Sequence, residues 1–274
     1  MMKKNPRTTS CRPDNLVPYY QDESATIYHG DCLDVLGKLE SSGARIDGVI
    51  TDPPYASGAR TEMGKKSSGS MLRGGNWADK PIENDQMTTA GFVWFTRQIA
   101  FSCKNMMPDG ASFLSFIDWR NWPNMLGALE SVNLRVNNMI VWDKATGGLG
   151  NGYRGQHELI VHASKGVADM NRDIYQTNVI QCGRESNAAH PSPKPEQLML
   201  ALMSVMVRKG DLILDPLMGC GPVLTASKLW GAKSIGIEIN EQYCEIAANR
   251  LTQSVLDFER NGETKQEAHT EALA

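Results

Sequence analysis

Short apolar runs alternate with longer stretches of helical period along most of the chain. Ala25-Thr-Ile-Tyr-His29 is a β-like run ending at Gly30-Asp31, and Cys32 to Leu39 then places apolar residues at 32, 33, 35, 36 and 39, the spacing of one helix face. Asp47-Gly-Val-Ile-Thr51 reads as a short buried strand that runs straight into Asp52-Pro-Pro-Tyr55. A helical pattern follows over 90–107, carried by Phe92, Phe95, Ile99 and Met106. The turn Pro108-Asp109-Gly110 leads into a strand over Ala111–Ile117, and a helix is predicted over 121–131. Two strand-like segments come next, Val136–Trp142 and Glu158–His162, separated by the glycine-rich Thr146–Gly155. Pro195–Val207 is an apolar helix with Pro195 suited to its first turn. The last third then repeats the alternation: strand Asp211–Asp215, helix Pro222–Trp230, strand Ser234–Ile239, helix Glu241–Leu251.

Such alternation implies an α/β fold, a mostly parallel sheet covered on both faces by helices. Ligands of these sheets bind outside the carboxyl ends of the strands, so side chains that leave a strand there are the first to weigh. Three segments lack periodicity: residues 1–20, read as an irregular arm; 57–86, rich in Gly, Ser and Lys; and 167–190, polar and irregular. A loop as long as the second is usually functional or disordered.

The chain has 274 residues, 41% hydrophobic and 22% charged, within the range of soluble globular proteins. No apolar run approaches the ~18 residues of a membrane span. The basic N-terminus has no apolar segment behind it, and a cytoplasmic location is expected. The six cysteines include no CxxC pair, which supports neither a disulfide framework nor a zinc site; no metal is expected. The net charge of −3 argues mildly against a simple nucleic-acid binder. Its distribution removes the objection. The tail 257–274 carries five acids and two bases, whereas Ser57–Lys80 carries five bases and two acids.

Two motifs sit at strand ends. In Asp215-Pro-Leu-Met-Gly-Cys-Gly221, the glycines let the backbone turn tightly and approach a ligand, and the helix that follows offers free N–H groups to an anion. The next strand ends in Ile235-Gly-Ile-Glu238, where a carboxylate can accept both hydroxyls of a ribose. In Asp52-Pro-Pro-Tyr55, the carboxylate can accept a hydrogen bond from an amino group. Pro53 and Pro54 remove backbone donors and fix the local backbone, which leaves nearby carbonyls free as acceptors. Tyr55 offers a flat face to a base rotated out of a duplex. Acceptors on both hydrogens of an exocyclic amine draw its nitrogen toward sp³ and aim the lone pair at a methyl donor. Either motif alone also fits a plain turn.

Taken together and in this order, the motifs resemble those of the amino-methylating DNA methyltransferases. In that family the tetrapeptide, here Asp52, Pro53, Pro54 and Tyr55, is catalytic, and the glycine turn, here Asp215, Pro216, Gly219 and Gly221, binds S-adenosylmethionine. The catalytic motif comes first and the cofactor turn last, as in the circularly permuted β subgroup. His190-Pro-Ser-Pro-Lys-Pro195 resembles the segment that completes the methionine side of the cofactor site, which assigns Lys194 and Pro195 there. Asp31 resembles the acid that meets the cofactor's adenine, and Glu238 the one that meets its ribose. Val141-Trp-Asp-Lys144 through His157-Glu158 resembles the late strands of the catalytic half. The resemblance covers roughly residues 20–255 and implies a Rossmann-like methyltransferase fold with a seven-stranded sheet over 21–256. It further implies double-stranded DNA as substrate and adenine N6 as the favoured target, since the motif opens with Asp where the cytosine-N4 group usually has Ser; cytosine N4 as target, an RNA substrate, and a catalytically silent fold that only occupies DNA are the alternatives. A homodimer and a cognate restriction enzyme are partners that the family admits.

Two positions depart from the family pattern. Leu217 replaces the usual Phe but keeps an apolar wall, and Pro222 replaces Thr but suits a helix start; altered cofactor packing is expected. The usual place for target recognition, between Gly166 and His190, is only about two dozen residues long. Recognition is therefore expected to be brief, relaxed, or shifted to the basic loop, whose Arg60, Lys65, Lys66 and Arg73 are candidates for phosphate contacts. Trp119 and Trp122 follow a strand and suit either base stacking or the wall of a cleft or core. Trp142 and the Met199, Met203, Met206 stripe read as core.

Overall fold

The computed structural model describes residues 16–56, 87–148, 151–183 and 194–253. The basic loop, with Arg60, Lys65, Lys66 and Arg73, and the acidic tail lie outside them.

The strands are β1 (Tyr20–Gln21), β2 (Ala25–His29), β3 (Gly48–Thr51), β4 (Ser112–Ile117), β5 (Arg135–Asp143), β6 (His157–Ser164), β7 (Val179–Gln181), β8 (Leu212–Asp215) and β9 (Lys233–Glu238). The helices are α1 (Cys32–Ser41), α2 (Thr89–Met106), α3 (Trp122–Glu130), α4 (Glu196–Met206), α5 (Pro222–Trp230) and α6 (241–253). They build one sheet in the order β1-β2-β9-β8-β3-β4-β6-β5-β7. From β2 to β4 every neighbouring pair is parallel, while β6 runs antiparallel to both β4 and β5. The seven strands expected form the body of this sheet, and two short edge strands enlarge it to nine. β1 pairs antiparallel with β2 where the arm was read as irregular throughout, and β7 pairs parallel with β5 inside the segment read as irregular. Segments of two and three residues carry no periodicity of their own; their ladders exist because β2 and β5 offer an open edge.

The central strands are buried on both faces, which is why β3 and β4 are buried at every position and show no polar alternation. Successive side chains go to opposite sides of the sheet. Val49, Phe113 and Leu214 pack with Leu36 of α1, Phe92 and Ile99 of α2, and Met125 and Leu129 of α3. Ile50, Leu114 and Ile213 pack with Leu202 and Met203 of α4, Leu224 of α5, and Ala247 and Leu251 of α6. The methionine stripe of α4 and Trp142 are core, as read from the spacing.

β3 and β8 are parallel neighbours, with Gly48 opposite Ile213 and Val49 opposite Leu214. The chain leaves β3 toward α2 on one face and leaves β8 toward α5 on the other. The crevice between their carboxyl ends is thus a point where the winding reverses, the place where open α/β sheets bind ligands. Asp52–Tyr55 and Asp215–Gly221 flank it.

Candidate active site

Asp52 follows β3 directly, half-buried, with Pro53 buried beside it. Its carboxylate is held at both oxygens: the Tyr55 hydroxyl donates to Oδ1 at 2.6 Å, and the Lys194 ammonium donates to Oδ2 at 2.8 Å. The first distance is that of a charge-assisted O–H···O⁻ bond. Lys194 also reaches Glu158 Oε2 at 2.9 Å and the Tyr55 hydroxyl at 3.2 Å. Glu158, on β6, is paired in turn with Lys144 at the end of β5. β5 and β6 bring these two side by side because Asp143 lies opposite His157 and Trp142 opposite Glu158. The Tyr55 carbonyl accepts from the side-chain amide of buried Asn121 at 2.6 Å, which ties the Asp52–Tyr55 motif to the start of α3. The chain leaves the motif through Ala56 at φ +50°, an unfavourable conformation for a residue with a Cβ.

The electrostatics follow from burial and pairing. Burial alone would raise the Glu158 carboxyl, but Lys194 and Lys144 outweigh it and hold it down at about 2. Burial would lower the Lys194 ammonium, and Asp52 and Glu158 reverse this and push it up. The Tyr55 phenol is raised well above its usual range by burial and then by the two carboxylates, so it stays a neutral donor. The Lys194 ammonium lies over the Tyr55, Phe116 and Trp142 rings at 5.5, 5.0 and 5.9 Å.

Across the crevice, Asp215 is buried, its Oδ1 accepts from the Leu217 amide at 3.1 Å, and burial pushes its carboxyl up to about 8. Pro216 is buried beside it, and Leu217 packs on the core as an apolar wall. Gly219 takes φ +52° with no heavy atom within 4 Å of where a Cβ would stand, so the turn is open on that side. Gly221 takes φ +74°, and a Cβ there would meet Ala247 Cβ at 2.9 Å, so glycine is what lets the turn lie against α6. Pro222 opens α5. Glu238 ends β9, accepting from the Gly219 amide at 3.0 Å and the Asn240 amide at 2.8 Å. Asp31 caps α1 by accepting from Leu33 at 2.8 Å. It lies near Glu238 because His29 and Glu238 are paired residues of β2 and β9.

The geometry thus forms two clusters. Asp31, Asp215, Pro216, Gly219, Gly221 and Glu238 surround the glycine turn. Lys194, assigned from its neighbourhood in the chain to the cofactor, is drawn instead into the Asp52–Tyr55 motif; Pro195 beside it caps α4, one position before the first turn expected, and its carbonyl accepts from Leu198 and Met199. Glu158, Lys144 and Asn121 were not singled out by role. For Glu158 the signal was a lone acid entering an apolar strand, Leu159-Ile-Val161.

The family model described as DNA methylase, covering N6 and N4 methyltransferases, matches residues 46–249. The chain belongs to this family. It is 24% identical over 259 residues to the type II methyltransferase M2.LlaDCHI of Lactococcus lactis subsp. cremoris, covering 86% of this chain and 92% of the relative. Among solved structures it resembles M1.HpyAVI in complex with SAM, with a TM-score of 0.62 and 20% identity over 83% of this chain and 99% of that one. It also resembles the cytosine-N4-specific PvuII DNA methyltransferase, with a TM-score of 0.66 and 16% identity over 85% and 88%. The α/β fold, with Asp52–Tyr55 ahead of the glycine turn in the chain, is therefore that of S-adenosylmethionine-dependent DNA methylases.

The glycine turn fits that cofactor. An open backbone at Gly219 and two acids at the ends of neighbouring strands are the groups that a nucleoside with a charged amino-acid tail requires. Among the described residues of the methylase, no cluster of His, Cys, Asp or Glu has the makings of a metal site, and no helix is long and apolar enough to cross a membrane. His162 is buried against Ser112 at 3.0 Å, and burial lowers it to about 4.

Proposed function

We propose that this methylase transfers a methyl group to adenine N6 of an extruded base in double-stranded DNA. The reading rests on one observation: a half-exposed carboxylate, Asp52, fixed at both oxygens and set across a switch-point crevice from an open glycine turn. Asp215, Pro216, Gly219, Gly221, Glu238 and Asp31 hold the methyl donor, with Glu238 and Asp31 toward its ribose and adenine. S-adenosylmethionine, held there, would supply a methyl group on a positively charged sulfur; the N–C bond would form as the S–C bond breaks and the sulfur leaves as a neutral thioether, and the proton lost by the nitrogen would pass by way of the Asp52 carboxylate that accepts from it to solvent.

The protein supplies orientation. Asp52 accepts from one amino hydrogen, and a carbonyl of the Pro53–Pro54 stretch, where the backbone carries no competing donor, accepts from the other. Tyr55 stacks on the base, its hydroxyl tied to Asp52 so that ring and carboxylate keep one relative orientation. Adenine is favoured over cytosine because the motif opens with a carboxylate rather than a hydroxyl.

Substrate contacts come from three places. Trp119, just past β4, is 66% exposed, and the Arg120 guanidinium lies over its ring at 4.8 Å. This is a stacking surface beside the catalytic motif, to which Asn121 connects it. Arg60, Lys65, Lys66 and Arg73 of the basic loop contact phosphates, and 167–190 is the recognition segment. The methylase domain spans 21–256, between arm and tail.

Long-read sequencing that reports modified bases, on DNA from cells making the wild type or Asp52→Ala, tests the reading. Modified adenines within a short motif, at least about 100-fold reduced in the variant, are expected. Modification at cytosine N4 keeps the mechanism and overturns the base; no modification with the wild type overturns the function.

A further inference from the structure

Lys194 is saturated by the Asp52–Tyr55 motif together with Glu158. An ammonium has three N–H donors. Here each has an acceptor, Asp52 Oδ2 at 2.8 Å, Glu158 Oε2 at 2.9 Å and the Tyr55 hydroxyl at 3.2 Å. No donor is left for the carboxylate of a cofactor's amino-acid tail. The side chain keeps only 12% of its exposure and lies among the Tyr55, Phe116 and Trp142 rings. A buried ammonium persists only when paired. The charges alternate along the cluster as Lys144, Glu158, Lys194, Asp52.

The arrangement also leaves Asp52 able to work. A carboxylate has about four acceptor positions, and Tyr55 and Lys194 take two of them. The Asp52 side chain is 37% exposed, whereas Lys194 is enclosed, so the ammonium grips the carboxylate on its protein side. The Tyr55 hydroxyl has a single proton and two carboxylates within reach, Asp52 at 2.6 Å and Glu158 at 3.1 Å. Lys194, bonded to all three groups, compensates both carboxylates so that neither is forced away from the shared hydroxyl.

We infer that Lys194 and Glu158 are positioning residues of the methyl-transfer centre, holding Asp52 and Tyr55 in register for the extruded base, and that Lys194 is no ligand of the methyl donor. The inference rests on the methyl-transfer reading and adds to it two residues that act through Asp52 and Tyr55.

The test measures two quantities on the full chain: the dissociation constant for S-adenosylmethionine by calorimetry without DNA, and the single-turnover rate of tritiated methyl transfer to unmethylated DNA. Lys194→Met should lower the rate about 100-fold or more while the dissociation constant stays within about twofold. Lys194→Arg should recover part of the rate, since it restores the charge but not the compact geometry. Glu158→Gln should lower the rate about tenfold through a loosened Lys194, again with donor affinity unchanged. A merely structural lysine would move both quantities together. Donor affinity that weakens in step with the rate in Lys194→Met, or transfer at the wild-type rate, overturns the inference. Should Lys194→Met melt before it can be assayed, Glu158→Gln, equal in volume and keeping Lys194 on Asp52, decides by the same two readings. A wild type that binds the donor and transfers nothing to DNA overturns the methyl-transfer reading instead.

Discussion

Asp215 makes the cofactor-free protein less stable as pH rises through neutrality. Its carboxyl, 2% exposed at the end of β8, is pushed by burial from 3.8 up to about 8. Between those values the folded state holds a proton that the unfolded state has released, so unfolding becomes easier with each unit of pH, by at most about 1.4 kcal/mol for one proton. The contribution is fully present below 3.8 and is lost as pH climbs through about 8. From pH 6 to pH 8, where the slope fades as the folded carboxyl itself ionises, the loss comes to roughly 2 kcal/mol. For a domain of this size that is a fall of about 4–8 °C in melting temperature. Asp215→Asn keeps an oxygen for the Leu217 amide and has nothing to titrate. Urea unfolding followed by circular dichroism at pH 6, 7 and 8, without cofactor, should show the wild type losing about 2 kcal/mol relative to the variant. Stabilities that run parallel over this window would refute the argument that Asp215 is buried as the neutral acid.

Three further outcomes follow from the packing and the charges. Gly236→Ala places a Cβ against Met218 Sδ and 2.9 Å from Leu224 Cδ2, so Met218 must leave its place in the glycine turn; a cost of about 1–3 kcal/mol in urea unfolding and weaker S-adenosylmethionine binding by calorimetry are expected. Glu158, held at about 2 against 4.5 when unfolded, stabilises the fold above pH 4.5, and roughly 3 kcal/mol is lost as pH falls through 2; acid unfolding of Glu158→Gln should lack that step. Trp119→Ala should weaken binding of a duplex with a mispaired target by about 1–3 kcal/mol in fluorescence anisotropy, leaving donor affinity unchanged.

Much of this protein is legible from its residues, and the illegible parts share a cause. β3 and β4 announce themselves as short apolar runs between turns because both sheet faces are covered, and α4 carries a stripe that matches the face it buries. The two motifs were readable because each is a continuous string at a strand end. β1 and β7 were not, since Tyr20–Gln21 and Val179–Gln181 take their structure from a neighbour's open edge. Lys194 shows the same limit at the level of a side chain. Its neighbours in sequence point toward the cofactor, whereas its partners Asp52 and Glu158 come from remote strands that only the sheet order brings together. Asn121 is a further case: nothing in Trp-Arg-Asn-Trp marks the amide that grips the Tyr55 carbonyl.

Taken as a sum, Lys144 and Lys194 against Asp52 and Glu158 come to zero. A self-compensated cluster is nearly silent to a polyanion beyond a screening length of about 8–10 Å. Attraction to the duplex must then be generated elsewhere on the surface, and the salt dependence of binding will report on that surface rather than on the chemistry. On the methyl-transfer reading, grip and reaction become separable inheritances: segments that read or hold DNA can be exchanged, lengthened or stripped of charge, and the Lys194 cluster keeps its own electrostatic balance throughout.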